Sequence, residues 1–145
     1  MKITKEQAMG IDRNEISSSP LTEEQEMYKE NIMDFYKNPR NKRELQKYTC
    51  KHKEINPICG DEITLYLKIN NRKINQATFT GKGCAISQAS SSMLTEKIKN
   101  MPIEQAKNIQ KEEILEMLGI PISFIRMKCA LLPLKTLSKS LEEKK

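Results

Sequence analysis

Three cysteines and one aspartate have the types and the placing to do chemistry together. They occur in Cys59-Gly60-Asp61, in Gly81-Lys82-Gly83-Cys84 and in Arg126-Met127-Lys128-Cys129. Three thiols and a carboxyl form a ligand set for one soft metal ion or one small iron–sulfur cluster, provided that the fold gathers them. Gly60 permits a tight turn that aims Cys59 and Asp61 at one point. Cys84 directly precedes a predicted helix, whose first backbone N–H groups favour a thiolate. Cys129 falls early in the last helical region. The spacing is not that of a zinc finger, because there is no Cys-x-x-Cys and the chain has only 1 His. Taken alone, each cysteine reads better as a small buried hydrophobe than as a ligand. Asp61 alone reads as a turn or capping residue. Only the set carries the metal reading.

Charge adds to it. Three thiolates and a carboxylate total about −4, and a divalent zinc or an oxidised two-iron core leaves roughly −2. Arg126 and Lys128 flank Cys129 and are expected to offset that excess and to depress the Cys129 thiol pKa. The alternative is an exposed basic helix face. Cys50 lies in a polar stretch beside His52 and is read as incidental, behind Asp61 as a candidate fourth ligand. A serine hydrolase is excluded, since there is no Gly-x-Ser-x-Gly and no nucleophile is placed near the single His. Gly81-Lys82-Gly83 is too short for a nucleotide-phosphate loop and lacks the Lys-Ser/Thr ending. No internal repeat is present.

The elements that must position these residues are legible from periodicity. Thr22 and Gln25 form a capping box ahead of Tyr28, Ile32, Phe35 and Tyr36 at helical spacing. This helix is expected to end at Asn38, before a proline. Residues 40–56 are irregular, with a short strand near 52–55. Residues 62–69 alternate as a half-buried antiparallel strand, with Ile63, Leu65, Leu67 and Ile69 inward and Thr64, Tyr66 and Lys68 outward. A hairpin turn is expected at Asn70-Asn71. A second strand over 73–80 follows, broken by Gly81 and Gly83. A helix over 86–99 carries Ile86, Ala89, Met93, Leu94 and Ile98 on one side, and its serines allow close packing. Short helices are expected after Pro102 and over 111–118, the second stopped by Gly119. The last helical region runs over 122–141, with Pro133 either kinking it or opening a second segment.

The 145 residues, 37% of them hydrophobic, suffice for one domain with one modest core. Residues 1–20 lack periodicity and read as a mobile tail, leaving 21–145 as the domain. No apolar run approaches a membrane span. No apolar leader opens the chain, and Glu6, Asp12 and Glu15 argue against a transit peptide. The expected compartment is the reducing cytoplasm, so the 4 Cys are read as thiols or ligands, not as two disulfides. The net charge is +6, but acids are interleaved everywhere except over 37–53, where Lys37, Arg40, Lys42, Arg43, Lys47, Lys51 and Lys53 cluster. With 5% aromatics and no Trp there is little for base stacking. Nucleic acid is therefore not the expected partner, and a zinc-stabilised RNA-binding module is the remote alternative.

Read together, the segments from about residue 27 to 137 resemble the NifU N-terminal family, which includes the IscU and SufU scaffolds. The matching motifs are Asp34-Phe35-Tyr36-Lys37-Asn38-Pro39-Arg40-Asn41, Asn56-Pro57-Ile58-Cys59-Gly60-Asp61, Gly81-Lys82-Gly83-Cys84-Ala85-Ile86-Ser87, Ala89-Ser90-Ser91-Ser92-Met93 and Arg126-Met127-Lys128-Cys129. The resemblance implies an α+β fold, a small antiparallel three-stranded sheet packed against several helices. It implies that Cys59, Asp61, Cys84 and Cys129 converge at one exposed site that binds a transient [2Fe–2S] cluster or Zn2+. It implies a cysteine desulfurase as sulfur donor and apo iron–sulfur proteins as recipients. The sequence leaves the oligomeric state open, a homodimer sharing a cluster included. Cys59 is the candidate persulfide acceptor and Cys129 the alternative. The match is mixed: IscU-type members have His just before the last cysteine, whereas Lys128 stands here, as in SufU-type members. SufU-type members carry an insertion between the second and third cysteines, whereas the stretch from Cys84 to Cys129 is short, as in IscU-type members. The expected function is a non-enzymatic cluster-assembly scaffold, with a zinc-dependent sulfurtransferase as the alternative.

Overall fold

The computed structural model describes residues 21–142. The tail expected at residues 1–20 lies outside the described residues. Helix α1 spans Glu23–Lys37. Its capping box forms as expected, with Thr22 and Gln25 each accepting the other's backbone N–H at 3.1 Å. It ends at Asn38, whose N–H reaches the Asp34 carbonyl. The chain that follows laces α1 to the rest of the molecule. The Arg40 N–H donates to Ser92 Oγ, and the Asn41 amide donates to Thr95 Oγ1 and Glu96 Oε1. The Asn41 carbonyl accepts from the Phe79 N–H.

Strands β1 (Cys50–Asn56), β2 (Asp61–Asn70) and β3 (Lys73–Lys82) form an antiparallel sheet in the order β1-β2-β3. β1 is longer than the short strand expected, because every residue from Cys50 to Asn56 finds a partner on β2. The hairpin turn sits one residue later than expected. Asn70 pairs with Lys73, and the two positive φ values belong to Asn71 (54°) and Arg72 (59°), as a type I′ turn requires. β3 is not broken at Gly81 but continues to Lys82, which pairs with Glu62. On the inner face Ile63, Leu65, Leu67, Ala77 and Phe79 are buried. Tyr66, expected to face outward into water, is buried as well, because Tyr48 packs edge-on against it and the Lys51 ammonium lies over its ring.

Helix α2 (Ala85–Ile98) is buried on nearly all sides, not on one face as expected. It packs against α1, against β3 and against the last helix. Its serines make this affordable. The Ser90 hydroxyl donates to the Ala130 carbonyl, Ser91 to Ser87, and Ser92 to Arg40. Their small side chains thus reach the core with their hydroxyls satisfied. Helices α3 (Ile103–Lys107) and α4 (Lys111–Leu118) follow as expected, α4 ending at a left-handed Gly119. Helix α5 (Phe124–Glu142) is continuous through Pro133 and packs on β1 and β2. Proline has no N–H for the carbonyl four residues back, and that carbonyl belongs to Cys129. The fold is thus α+β, a three-stranded antiparallel sheet with five helices among the described residues. None of these helices is long and apolar enough to cross a membrane.

Candidate metal centre

The last pair of the β1–β2 ladder is Asn56 with Asp61. The four residues between them make a tight turn. The Asn56 carbonyl accepts from the Gly60 N–H at 2.8 Å, and Asn56 Oδ1 accepts from the Ile58 N–H at 3.2 Å. Gly60 closes the turn at φ 74°, where a side chain would be strained. This turn carries Cys59 at the end of the sheet beside Asp61. Asp61 is fully buried because its carboxyl lies against the backbone of Gly83. A Cβ at position 83 would stand 2.8 Å from Asp61 Cγ and 2.5 Å from Ser87 Oγ. Only glycine admits that approach.

Cys84 is the N-cap of α2. Its Sγ lies 3.8 Å from Asp61 Oδ2. Cys129, on the second turn of α5, places its Sγ 3.6 Å from Cys59 Sγ. The Asn56 amide donates to the Cys129 sulfur at 3.9 Å. Ligand atoms of Cys59, Asp61 and Cys129 all lie within 4.8 Å of one another, and Cys84 joins them through Asp61. The four residues singled out from the sequence therefore meet at one end of the sheet, drawn from the β1–β2 turn, the start of α2 and α5. Cys84 and Cys129 are buried, while Cys59 is partly exposed. Cys50 is buried in the hydrophobic core opposite Leu67, apart from this cluster.

The thiols differ in acidity. The Cys84 thiol is lowered to about 6, chiefly by the hydrogen bond from Cys129. The Ser87 backbone N–H and the Arg126 charge help, outweighing burial and the neighbouring Asp61. The Ser87 N–H is the helix-start donor expected from the sequence, but it acts behind the Cys129 thiol. Cys129 behaves oppositely to expectation. Its thiol is pushed well above the ordinary value, first because it donates to Cys84, and then by burial and by Asp61. The basic neighbours do not overcome these effects, and Arg126 acts on Cys84. Lys128 lines a groove with Ile58 on the outer surface.

The spacing of Cys59 and Cys129 suits two ligands of a single tetrahedral ion. Two thiolates on one zinc stand roughly 3.8 Å apart, given Zn–S bonds of about 2.3 Å, and the Cys59–Cys129 separation of 3.6 Å falls close to that. Asn56 was quoted from the sequence only as part of a motif. Its amide links the Cys59 turn to Cys129, and the signal that could have found it is the Asn-Pro pair preceding a turn.

The NifU-like N terminal domain model matches residues 27–144. The zinc-dependent sulfurtransferase SufU of Bacillus subtilis is 37% identical over 130 residues, 78% of this chain and 88% of that protein. The iron–sulfur cluster assembly scaffold protein IscU 1 of Archaeoglobus fulgidus is 37% identical over 93 residues, 64% of this chain and 61% of that protein's length. Among solved structures, a protein from Fervidobacterium islandicum described as a putative scaffold for the SUF system superposes with a TM-score of 0.66 at 31% identity. That match covers 77% of this chain and 94% of the other. The family model spans most of the chain, and the chain belongs to the NifU-like N terminal domain family.

Proposed function

We propose that this protein is an iron–sulfur cluster assembly scaffold that accepts sulfur from a cysteine desulfurase and passes the cluster to apo iron–sulfur proteins. The observation that carries this reading is the meeting of Cys59, Asp61, Cys84 and Cys129 at one end of the sheet, with Cys59 the accessible thiol. Cys59 is suited to take sulfur first. Its thiolate attacks the outer sulfur of the desulfurase persulfide. One S–S bond forms as another breaks, and the electron pair leaves on the desulfurase cysteine, with no net oxidation. Cys84, whose thiol is lowered chiefly by the hydrogen bond from Cys129 and then by the Ser87 N–H, is suited to anchor metal from the outset. Cys129 gives up its proton when a metal binds, since only the thiolate is a ligand. The cluster is cargo, and a cargo site must let go. Asp61 offers oxygen where the other three offer sulfur, and that makes it the weaker hold.

A second reading has its own support in the 37% identity to a zinc-dependent sulfurtransferase. There the same four residues hold zinc, and docking on the desulfurase frees Cys59 to accept sulfur. Anaerobic reconstitution with iron and a sulfur donor separates the two. A visible [2Fe–2S] spectrum with two iron and two sulfide per site supports the scaffold. No cluster, together with desulfurase turnover that rises only when zinc is present, transfers the assignment to the sulfurtransferase.

A further inference from the structure

Large apolar side chains are exposed on both sides of the site. Ile58, directly before Cys59, is 72% exposed, and Phe124 and Ile125, at the start of α5, are 93% and 72% exposed. A groove of about 330 Å³ runs between the β1–β2 turn and α5. Ile55, Pro57 and Ile58 form one wall, and Lys128, Leu131 and Lys135 line the other. The second wall is a single helical stripe, because residues three and four apart share a face. Phe124, four residues before Lys128, continues that stripe. The volume lies at the lower end of the ~300–1,000 Å³ of small-molecule sites, and the groove is open, which suits side chains of a docked peptide better than a cofactor. Among the described residues no acidic one lines it, but two lysines do. Lys128 is exposed. Lys135 is 58% exposed and makes only a 3.8 Å contact with Glu54.

We propose that this groove docks a segment of a partner protein in which a large apolar side chain is flanked by carboxylates. The apolar anchor would cover Ile58 and Leu131, and the carboxylates would meet Lys128 and Lys135. Apolar burial supplies the hold, while the charges set register and speed of encounter. Ile58 and Lys128 each immediately precede a site cysteine, so an occupant is held beside Cys59 and Cys129. The inference rests on the reading of those residues as the sulfur-accepting site, and it deepens that reading by giving the partner's docking chemistry.

The test is a titration of the 15N-labelled, zinc-loaded full chain with the peptide acetyl-Asp-Glu-Leu-Phe-Asp-Glu-amide. Amide shifts should concentrate over residues 55–58 and 127–135. Affinity should fall at least five-fold in Ile58→Ser and in Lys135→Glu, both retaining wild-type zinc content. It should fall as far for a peptide with lysines in place of its acids. Shifts that map elsewhere, or variants that bind as well as wild type, would overturn the proposal. So would concentration-dependent self-association that Ile58→Ser abolishes, which assigns the groove to a second copy. A five-fold gain in peptide affinity on deleting residues 1–20 would overturn it in favour of the chain's own segment. The titration is repeated on metal-free protein. Failure to take up zinc or iron counts against the site reading alone, while the shift map decides the groove in either state.

Discussion

Cys84 and Cys129 are neighbouring thiols with opposite fates, one lowered to about 6 and the other raised. A thiol in the unfolded chain titrates at about 8.5. The lowered folded value of Cys84 therefore stabilises the metal-free fold above that pH, and the contribution is lost as pH falls through about 6. Cys129 has the opposite sign: its contribution is present below about 8.5 and is lost as pH rises beyond it. In metal-free protein the thiolate absorbance near 240 nm should show one step close to pH 6, absent in Cys84→Ser. Urea stability should climb between pH 6 and pH 8 and then decline above pH 9. A single step near 8.5 for all the thiols would remove the pairing. Gly83 gives a second prediction at this scale. An added methyl would stand 2.8 Å from the Asp61 carboxyl group and 2.5 Å from Ser87 Oγ, so one of them must move. Gly83→Ala should weaken zinc binding about 10–100-fold, the usual loss when a ligand's supporting shell is disturbed. Unchanged far-ultraviolet circular dichroism would show that the fold persists. Wild-type zinc affinity in the variant would mean that Asp61 is not held there for a metal.

Elements away from the site should be separable from it. The α1 capping box joins Thr22 and Gln25 by two hydrogen bonds of 3.1 Å. Thr22→Ala should lower stability by about 1 kcal/mol, measured by urea unfolding, with zinc content untouched. A loss of zinc there would tie α1 to the site. That box, the stop at Asn38 and the stop at Gly119 were legible because capping and breaking act through neighbours in sequence. The alternation of Ile63, Leu65 and Leu67 was legible for the same reason. β1 was seen only in part, since its length is set by pairing with β2, not by its own polar sequence. The hairpin turn was placed one residue early because Asn70, Asn71 and Arg72 offer two registers, and the pairing of Asn70 with Lys73 selects one. The all-round burial of α2 was hidden by its serines. They look polar in sequence, but their hydroxyls bond to nearby carbonyls such as that of Ala130. At the site, the motifs named the cysteines and Asp61 but not the acidity of each thiol. That depends on which sulfur donates to which, and only the packed arrangement of α2 against α5 decides it.

Across the whole molecule, the four residues join three pieces that lie far apart in sequence. Cys59 and Asp61 come from the end of the β1–β2 ladder, Cys84 from the start of α2 and Cys129 from α5. Among them are the tight turn at residues 57–60 and the α5 turn that Pro133 leaves one hydrogen bond short. A metal held there adds bonds between segments far apart in sequence, and its binding energy becomes folding energy. At a free zinc concentration one hundred times its dissociation constant the gain is about 2.7 kcal/mol. Chelation should therefore lower Tm measurably. Hydrogen exchange should rise chiefly at residues 56–61, at the first turn of α2 and over residues 124–133. α1 and α4, which contribute no ligand, should keep their protection. Cys129→Ser with zinc present should reproduce the loss over α5 while sparing the β2–β3 hairpin. If exchange instead rises evenly over α1, α4 and the sheet, the site is a mere passenger on an already rigid fold. A Tm indifferent to chelation would lead to the same conclusion, and metal release would then cost the scaffold nothing.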